Sequence, residues 1–154
     1  MATAVHRLNH AVLYVADAER SAAFYRDVLG FEVVVTFPGA AFLRAADSPN
    51  DHDLGLFGIG AGATRPKGHQ IGLYHLAWQV DTIEELAALR ATLVTAGSLV
   101  GESDHHVSKS LYAEDPDGNE FEVMWMLPRD EWGALEHDAS VAPLDLDAEI
   151  AQHG

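Results

Sequence analysis

The chain contains no cysteine among its 154 residues. Disulfide frameworks, thiolate zinc sites and cysteine nucleophiles are therefore excluded, and any metal must be held by imidazole, carboxylate, backbone or water. Cationic side chains are scarce too. The 9 Lys and Arg face 24 Asp and Glu, giving a formal net charge of −15. Such a surface repels phosphate backbones and anionic lipid, so neither nucleic acid nor a membrane is expected as a partner. The plainest role of the charge is solubility. No apolar run reaches the length of a membrane span. The opening residues Met1-Ala2-Thr3-Ala4-Val5-His6-Arg7 lack the apolar stretch of a signal peptide, so a cytoplasmic location is expected.

What is present is enough apolar residue, 48%, to build a sizeable core. The length suits a single domain over 1–154, or two small halves sharing a core. Residues 6–15 (HRLNHAVLYV) alternate and are rich in branched side chains, which predicts a strand with Leu8, His10, Val12 and Tyr14 on one face. Asp17 can cap a helix over 18–29, and Gly30 can stop it. Strands are expected at 31–37, 41–45 and 53–59, completing a βαβββ unit. The stretch 58–72 is rich in glycine and aperiodic, which suggests a mobile linker or lid. It carries no phosphate-binding fingerprint, because no helical pattern opens from it.

The pattern then starts again. Residues 72–80 (GLYHLAWQV) predict a strand, Asp81 or Thr82 a cap, 83–96 a helix and Gly97 its end, with strands near 98–102, 108–114 and 119–127. Leu8-Asn9-His10-Ala11 aligns with Leu73-Tyr74-His75-Leu76, an offset of 65 at the histidines. The expected fold is α+β, with two tandem βαβββ modules (about 6–59 and 72–127) forming a curved, open mixed sheet around a metal site. A linker over 60–71 joins them, and an acidic tail over 128–154 is expected to form one or two short helices docked on the body or on a partner subunit.

One histidine among apolar strand residues is usually a hydrogen-bonded core group. Two at repeat-equivalent positions point instead to ligation, because a local two-fold axis would bring them face to face. Glu122 lies in the last strand on a face shared with Met124 and Met126. A carboxylate there is costly to bury unless paired or metal-bound. His10, His75 and Glu122 would make a two-histidine, one-carboxylate facial triad, which suits Fe(II), while Mn(II), Ni(II) or Zn(II) would accept the same donors. The turn Asp115-Pro116-Asp117-Gly118-Asn119 is a reversal signal that delivers the Glu122 strand after the Tyr112 strand.

LNHAVLYV with its following helix, LYHLAWQV and DPDGNEFEVMW together resemble the vicinal oxygen chelate superfamily, which includes glyoxalase I, bleomycin- and fosfomycin-resistance proteins and type I extradiol dioxygenases. The resemblance covers about residues 6–127, and DPDGNEFEVMW is its most specific segment. Within the superfamily, His52-Asp53-Leu54-Gly55-Leu56 is similar to the strand opening that bears the acid–base histidine of the extradiol branch. The segment from Asp104 to Tyr112 is similar to that branch's Asp-His-Gly-Val-Ser region. It supplies a histidine near the metal and a tyrosine, here His105 and Tyr112, with Tyr112 ten residues before Glu122. His106 stands where the branch has glycine, so either histidine can face the site; His105 is favoured. The extra N-terminal domain of the larger ring-cleaving enzymes is not expected.

The resemblance implies an extradiol-type dioxygenase acting on a catechol-like vicinal diol with O₂ as co-substrate. His52 would move the hydroxyl proton, a task suited to imidazole, while His105 and Tyr112 would hold oxygen atoms. A glyoxalase-type isomerase or lyase is the first alternative. It normally needs a mid-strand carboxylate in the first module, and the strand Asp53–Ile59 has an acidic residue only at its start. A metal-free binding or resistance protein should have lost ligands, and an epimerase needs a further carboxylate. Members of the superfamily commonly build their sites from paired modules, within one chain or across a dimer; two modules are present here, so the chain can complete its own site, and a homodimer is still expected. Trp78, Trp125 and Trp132 are read chiefly as core aromatics.

Overall fold

The computed structural model of the chain describes residues 3–65 and 71–154. It divides into two compact units, Met1–Gly68 and His69–Gly154. Each is a four-stranded mixed sheet with one principal helix, the same βαβββ order twice.

In the first unit, β1 (Ala11–Val15) leads into α1 (Ala18–Leu29). The Asp17 carboxylate accepts hydrogen bonds from the N–H groups of Glu19 and Arg20, which otherwise have no partner in the first helical turn. Gly30 closes the helix at φ 74°, a left-handed conformation that glycine adopts without a Cβ clash. Then follow β2 (Glu32–Phe37), β3 (Ala40–Arg44) and β4 (Leu54–Gly58), in the spatial order β1-β4-β3-β2. β1 and β4 are parallel; the other pairs are antiparallel. Ala18, Ser21, Ala22 and Tyr25 of α1 are buried, as are Val15, Leu43, Leu54 and Leu56 of the sheet. The opposite face is open, with Val12 and Tyr14 exposed.

The second unit repeats the plan with β5 (Leu76–Gln79), α2 (Ile83–Ala96), β6 (Leu99–Asp104), β7 (Ser108–Glu114) and β8 (Glu120–Met126), ordered β5-β8-β7-β6. Thr82 is the cap, in a reciprocal capping box with Glu85, and Gly97 ends the helix at φ 67°. Leu86 and Leu93 are fully buried, and each such side chain contributes about 1.5–3 kcal/mol of hydrophobic stabilisation. Both units carry a register break in their second strand, at Val33/Val35 and at Leu99/Gly101. This bulge matches the repeat independently of the histidines.

The helices begin and end where capping chemistry predicts. The leading strands do not: 6–15 shortens to Ala11–Val15, and 72–80 to Leu76–Gln79. A ladder exists only where a partner runs alongside. β4 pairs from Leu54 opposite Ala11, and β8 from Phe121 opposite Leu76. His10 and His75 thus both sit one residue ahead of their strands. The tail forms single 3-10 turns at Arg129–Glu131 and Gly133–Leu135 and a helix, α3 (Leu146–His153). It docks on its own unit: α3 lies against α2, and Ala142 pairs with Asp104 at the end of β6. Of the glycine-rich stretch, residues 66–70 lie outside the described residues, and 59–65 and 71–72 form neither helix nor strand. Among the described residues, no helix is long and apolar enough to cross a membrane.

Candidate functional site

One face of the second sheet collects the polar side chains. Register pairs Ala77 with Glu122, Tyr112 with Glu122, and Ser110 with Met124, so these residues share a face. Glu122 is buried at 8% exposure. Its Oε2 lies 3.2 Å from His75 Nε2, and among the described residues no lysine or arginine pairs with it. His75 Nδ1 is buried without a hydrogen-bond partner among the described residues, 3.7 Å from Glu120 Oε1. Beside this pair, the Tyr112 ring stands 5.7 Å from the His75 ring, and its hydroxyl lies 2.8 Å from His105 Nε2. Burial first, then the Glu122 charge, push the Tyr112 phenol above its ordinary value of 10.0. Tyr112 is therefore a neutral hydroxyl throughout the neutral range.

In the first unit, His10 and His52 meet with ring centroids 4.7 Å apart. A chain of hydrogen bonds fixes the His10 tautomer. Arg7 can only donate, and its Nη2 donates to Asn50 Oδ1 at 2.9 Å. The Asn50 oxygen being the acceptor, Asn9 Nδ2 donates to it at 3.2 Å, which turns Asn9 Oδ1 toward His10 Nδ1 at 2.9 Å. An amide oxygen only accepts, so Nδ1 carries the proton and Nε2 presents a lone pair. The same logic applies to His52. Its Nδ1 lies 2.9 Å from Asp51 Oδ2, leaving Nε2 as the basic nitrogen. Around these rings the open face is aromatic. Phe42 meets His52 at 5.0 Å, Phe57 at 5.8 Å and Phe37 at 6.4 Å, and lies over Gly55, where an added Cβ would meet its ring at 3.3 Å.

The loop that carries His52 is held by Asp53. Burial alone would raise this carboxyl's pKa. Hydrogen bonds from Ala45 N–H, Asn50 Nδ2 and Ser48 Oγ outweigh it and hold the group below its usual range. A depressed folded-state pKa stabilises the protein above the unfolded value of 3.8 and loses that contribution as pH falls through the folded one. Asp53→Asn should therefore lower the melting temperature at pH 7 by several degrees and narrow the gap to wild type near pH 3. A gap that stayed constant with pH would refute the carboxylate's role.

All six residues singled out in the sequence fall into two local groups, His10 with His52 and His75 with Glu122, Tyr112 and His105. Within neither unit do three or more His, Asp and Glu side chains gather into a metal-holding group among the described residues. The donors present nonetheless fit one. Two ligands held about 2.0–2.2 Å from one ion at roughly 90–110° lie about 2.8–3.6 Å apart, a range that includes the 3.2 Å His75–Glu122 separation. A buried carboxylate with no lysine or arginine beside it among the described residues, and an imidazole nitrogen 3.2 Å from it, are donor types that a divalent ion accepts. Asn9, Asn50 and Phe42 were not singled out. Asn50 bonds to residues 41 and 43 positions away, a relation that no local spacing carries.

The profile of the Glyoxalase/Bleomycin resistance protein/Dioxygenase superfamily matches residues 7–123. A catechol-2,3-dioxygenase of Bacillus subtilis (strain 168) is 35% identical over 133 residues, covering 84% of this chain and 46% of that protein. Biphenyl-2,3-diol 1,2-dioxygenase 3 of Rhodococcus globerulus is 33% identical over 123 residues, covering 79% and 64%. The chain thus spans about half to two thirds of the length of these curated relatives. Among solved structures, lactoylglutathione lyase from Agrobacterium tumefaciens superposes with a TM-score of 0.58 at 25% identity, covering 80% of this chain and 96% of that one.

Proposed function

Since the chain belongs to the Glyoxalase/Bleomycin resistance protein/Dioxygenase superfamily, we propose that it is an extradiol-type dioxygenase that opens the ring of a catechol-like diol with O₂, using a divalent metal, Fe(II) by preference, held by His10, His75 and Glu122. The observation that carries this reading is the buried Glu122 carboxylate 3.2 Å from His75 Nε2, with no lysine or arginine paired to it among the described residues, one sheet position from Tyr112 and its His105 partner. The 35% identity to a catechol dioxygenase supports the substrate class. So does the aromatic face formed by Phe37, Phe42 and Phe57 beside His52.

Fe(II), when bound, would supply the redox chemistry that lets the diol react with dioxygen. The chain's residues do the rest. His10 offers Nε2 because Asn9 holds the proton on Nδ1. His52 accepts the substrate's hydroxyl proton at Nε2 and returns it later. Tyr112 donates from its hydroxyl, and His105 fixes that hydroxyl's direction. Phe42 and Phe57, in edge contact at 5.8 Å, offer an apolar surface for the ring of the diol. The protein works in the cytoplasm as a homodimer.

Oxygen uptake and ring-cleavage absorbance, measured on Fe(II)-loaded protein with catechol and 2,3-dihydroxybiphenyl, test the reading. Turnover of the methylglyoxal–glutathione adduct without catechol cleavage would replace it with the glyoxalase reading. That reading lacks its usual fourth ligand here, since the β4 positions facing Val12 and Tyr14 are Gly55 and Phe57. Tyr112→Phe should keep its metal and lose about tenfold to hundredfold in kcat. An unchanged kcat would remove Tyr112 from the chemistry.

A further inference from the structure

We propose that the C-terminal segment from Asp138 to Glu149 is a clasp that fixes the β6–β7 turn and so aims the His105 imidazole, with Ser140, Glu149 and Lys109 as positioning residues. The kinetic part of this inference rests on the dioxygenase reading; the mechanical part does not.

β6 ends at Asp104 and β7 begins at Ser108, so His105 sits in a turn of three residues. β6 is the edge of its sheet. An edge leaves its outer backbone groups unpaired and its ends free to fray. The tail covers the end from which His105 projects. Asp104 N–H donates to Ala142 O at 2.9 Å, and Ala142 N–H donates back to Asp104 O at 2.8 Å.

Side chains secure the same turn from both flanks. His106 has φ 65°, a left-handed conformation that disfavours any residue with a Cβ. Its backbone N–H donates to Asp104 Oδ1 at 2.7 Å, and its Nε2 lies 2.7 Å from Ser140 Oγ. Ser140 gives its own hydroxyl proton to Asp138 Oδ1 at 2.6 Å. The serine oxygen is therefore the acceptor from His106 Nε2–H, and the direction of the whole Asp138–Ser140–His106 relay is set. On the other side, Lys109 is only 4% exposed. Its ammonium lies 2.7 Å from Asp104 Oδ1 and 3.1 Å from Glu149 Oε1 on α3. A buried ammonium shared by a turn and a helix ties the two together, because parting them gives up its charge-assisted contact with the helix carboxylate. With His106 committed to the tail, His105 is the histidine left to meet Tyr112, at 2.8 Å. The relay thus does what glycine would do at position 106 in another way: it compensates the unfavourable backbone and assigns each of two adjacent histidines to its own partner.

The test is the double variant Ser140→Ala/Glu149→Gln in the full chain, which alters the tail and neither the histidines nor Tyr112. Amide exchange at residues 105–107 should quicken about tenfold or more, while α2 and β8 keep their protection. The His105 ring-nitrogen resonances should move toward those of a free imidazole. Metal content should be unchanged, and kcat with catechol should fall about tenfold with KM within about twofold. The conservative variant Ser140→Thr, which keeps the hydroxyl, should restore wild-type behaviour at that end of the clasp. Unchanged exchange and an unchanged His105 signal would overturn the proposal, as would equal loss of protection across the whole unit. If the wild type cleaves no catechol, the dioxygenase reading fails, and the exchange and imidazole signals still decide whether the clasp exists.

Discussion

Replacing Glu122 by glutamine is expected to abolish metal retention and, in the same variant, to leave the metal-free protein as stable as wild type or more so. The two effects have one cause. Glu122 is 8% exposed, and His75 is the cation-capable group beside it. A carboxylate held so far from water costs several kcal/mol unless a positive charge compensates. Glutamine keeps the shape and removes the charge, so the metal-free protein sheds that cost. The bound ion loses its anionic ligand, and affinity should drop by at least two orders of magnitude, beyond what loss of a supporting hydrogen bond would do. Wild type should gain melting temperature with added Fe(II) or Mn(II) in proportion to the logarithm of free metal, and Glu122→Gln should gain almost none. Thermal melts with and without metal, together with metal analysis after dialysis of untagged protein, decide the matter. Equal destabilisation of both forms would make Glu122 a structural carboxylate and take the metal centre with it.

Much of this was legible in the sequence where the governing interactions are local. Asp17, Thr82, Gly30 and Gly97 act within one helical turn of their own positions, and the helices they bound run over the predicted residues. Glu122, Met124 and Met126 share a face because strand periodicity alone requires it, and the Asp115 turn closes through its own side chain, which accepts from Asp117 and Asn119 N–H. What depends on distant partners was hidden. The leading strands look longer in sequence than the ladders their partners allow. The choice between His105 and His106 turns on Ser140, 34 residues beyond His106. Lys109 is buried between two carboxylates, one from α3, a partner 40 residues away that its own strand does not reveal. Asn50 is the clearest case. Its side chain accepts from Arg7 and Asn9 and donates to Asn9 O and Asp53, so all four of its hydrogen-bonding positions are used. Nothing in the residues around position 50 announces that saturation, since both partners on β1's leading segment arrive only when the chain folds.

The saturated Asn50 and the Asp51–His52 pair bear on the acid–base step, where the other large effect is expected. His52→Ala should retain its metal and lose about a hundredfold to ten-thousandfold in kcat, the usual range for removing a positioned proton-transfer group. His52 stands in the loop before β4, with Nδ1 committed to Asp51 and its ring flanked by His10 and Phe42. Loss of the imidazole therefore removes the basic Nε2 without touching the hydrogen bonds that hold the loop, which run through the Asp53 carboxylate. His52→Gln separates chemistry from packing, because the amide fills similar space and cannot take up a proton. It should be as impaired as alanine in kcat, with KM and metal content near wild type. Asp51→Asn is the subtler probe. Its amide can donate to His52 Nδ1 and so favour the tautomer with the proton on Nε2, the reverse of what the base needs. The Asp51 side chain is 92% exposed and can swing into water, so its effect should be smaller, about tenfold or less. A ranking in which Asp51→Asn hurts turnover more than His52→Gln, or in which His52→Ala strips the metal, would show that His52 belongs to the metal's coordination rather than to proton transfer.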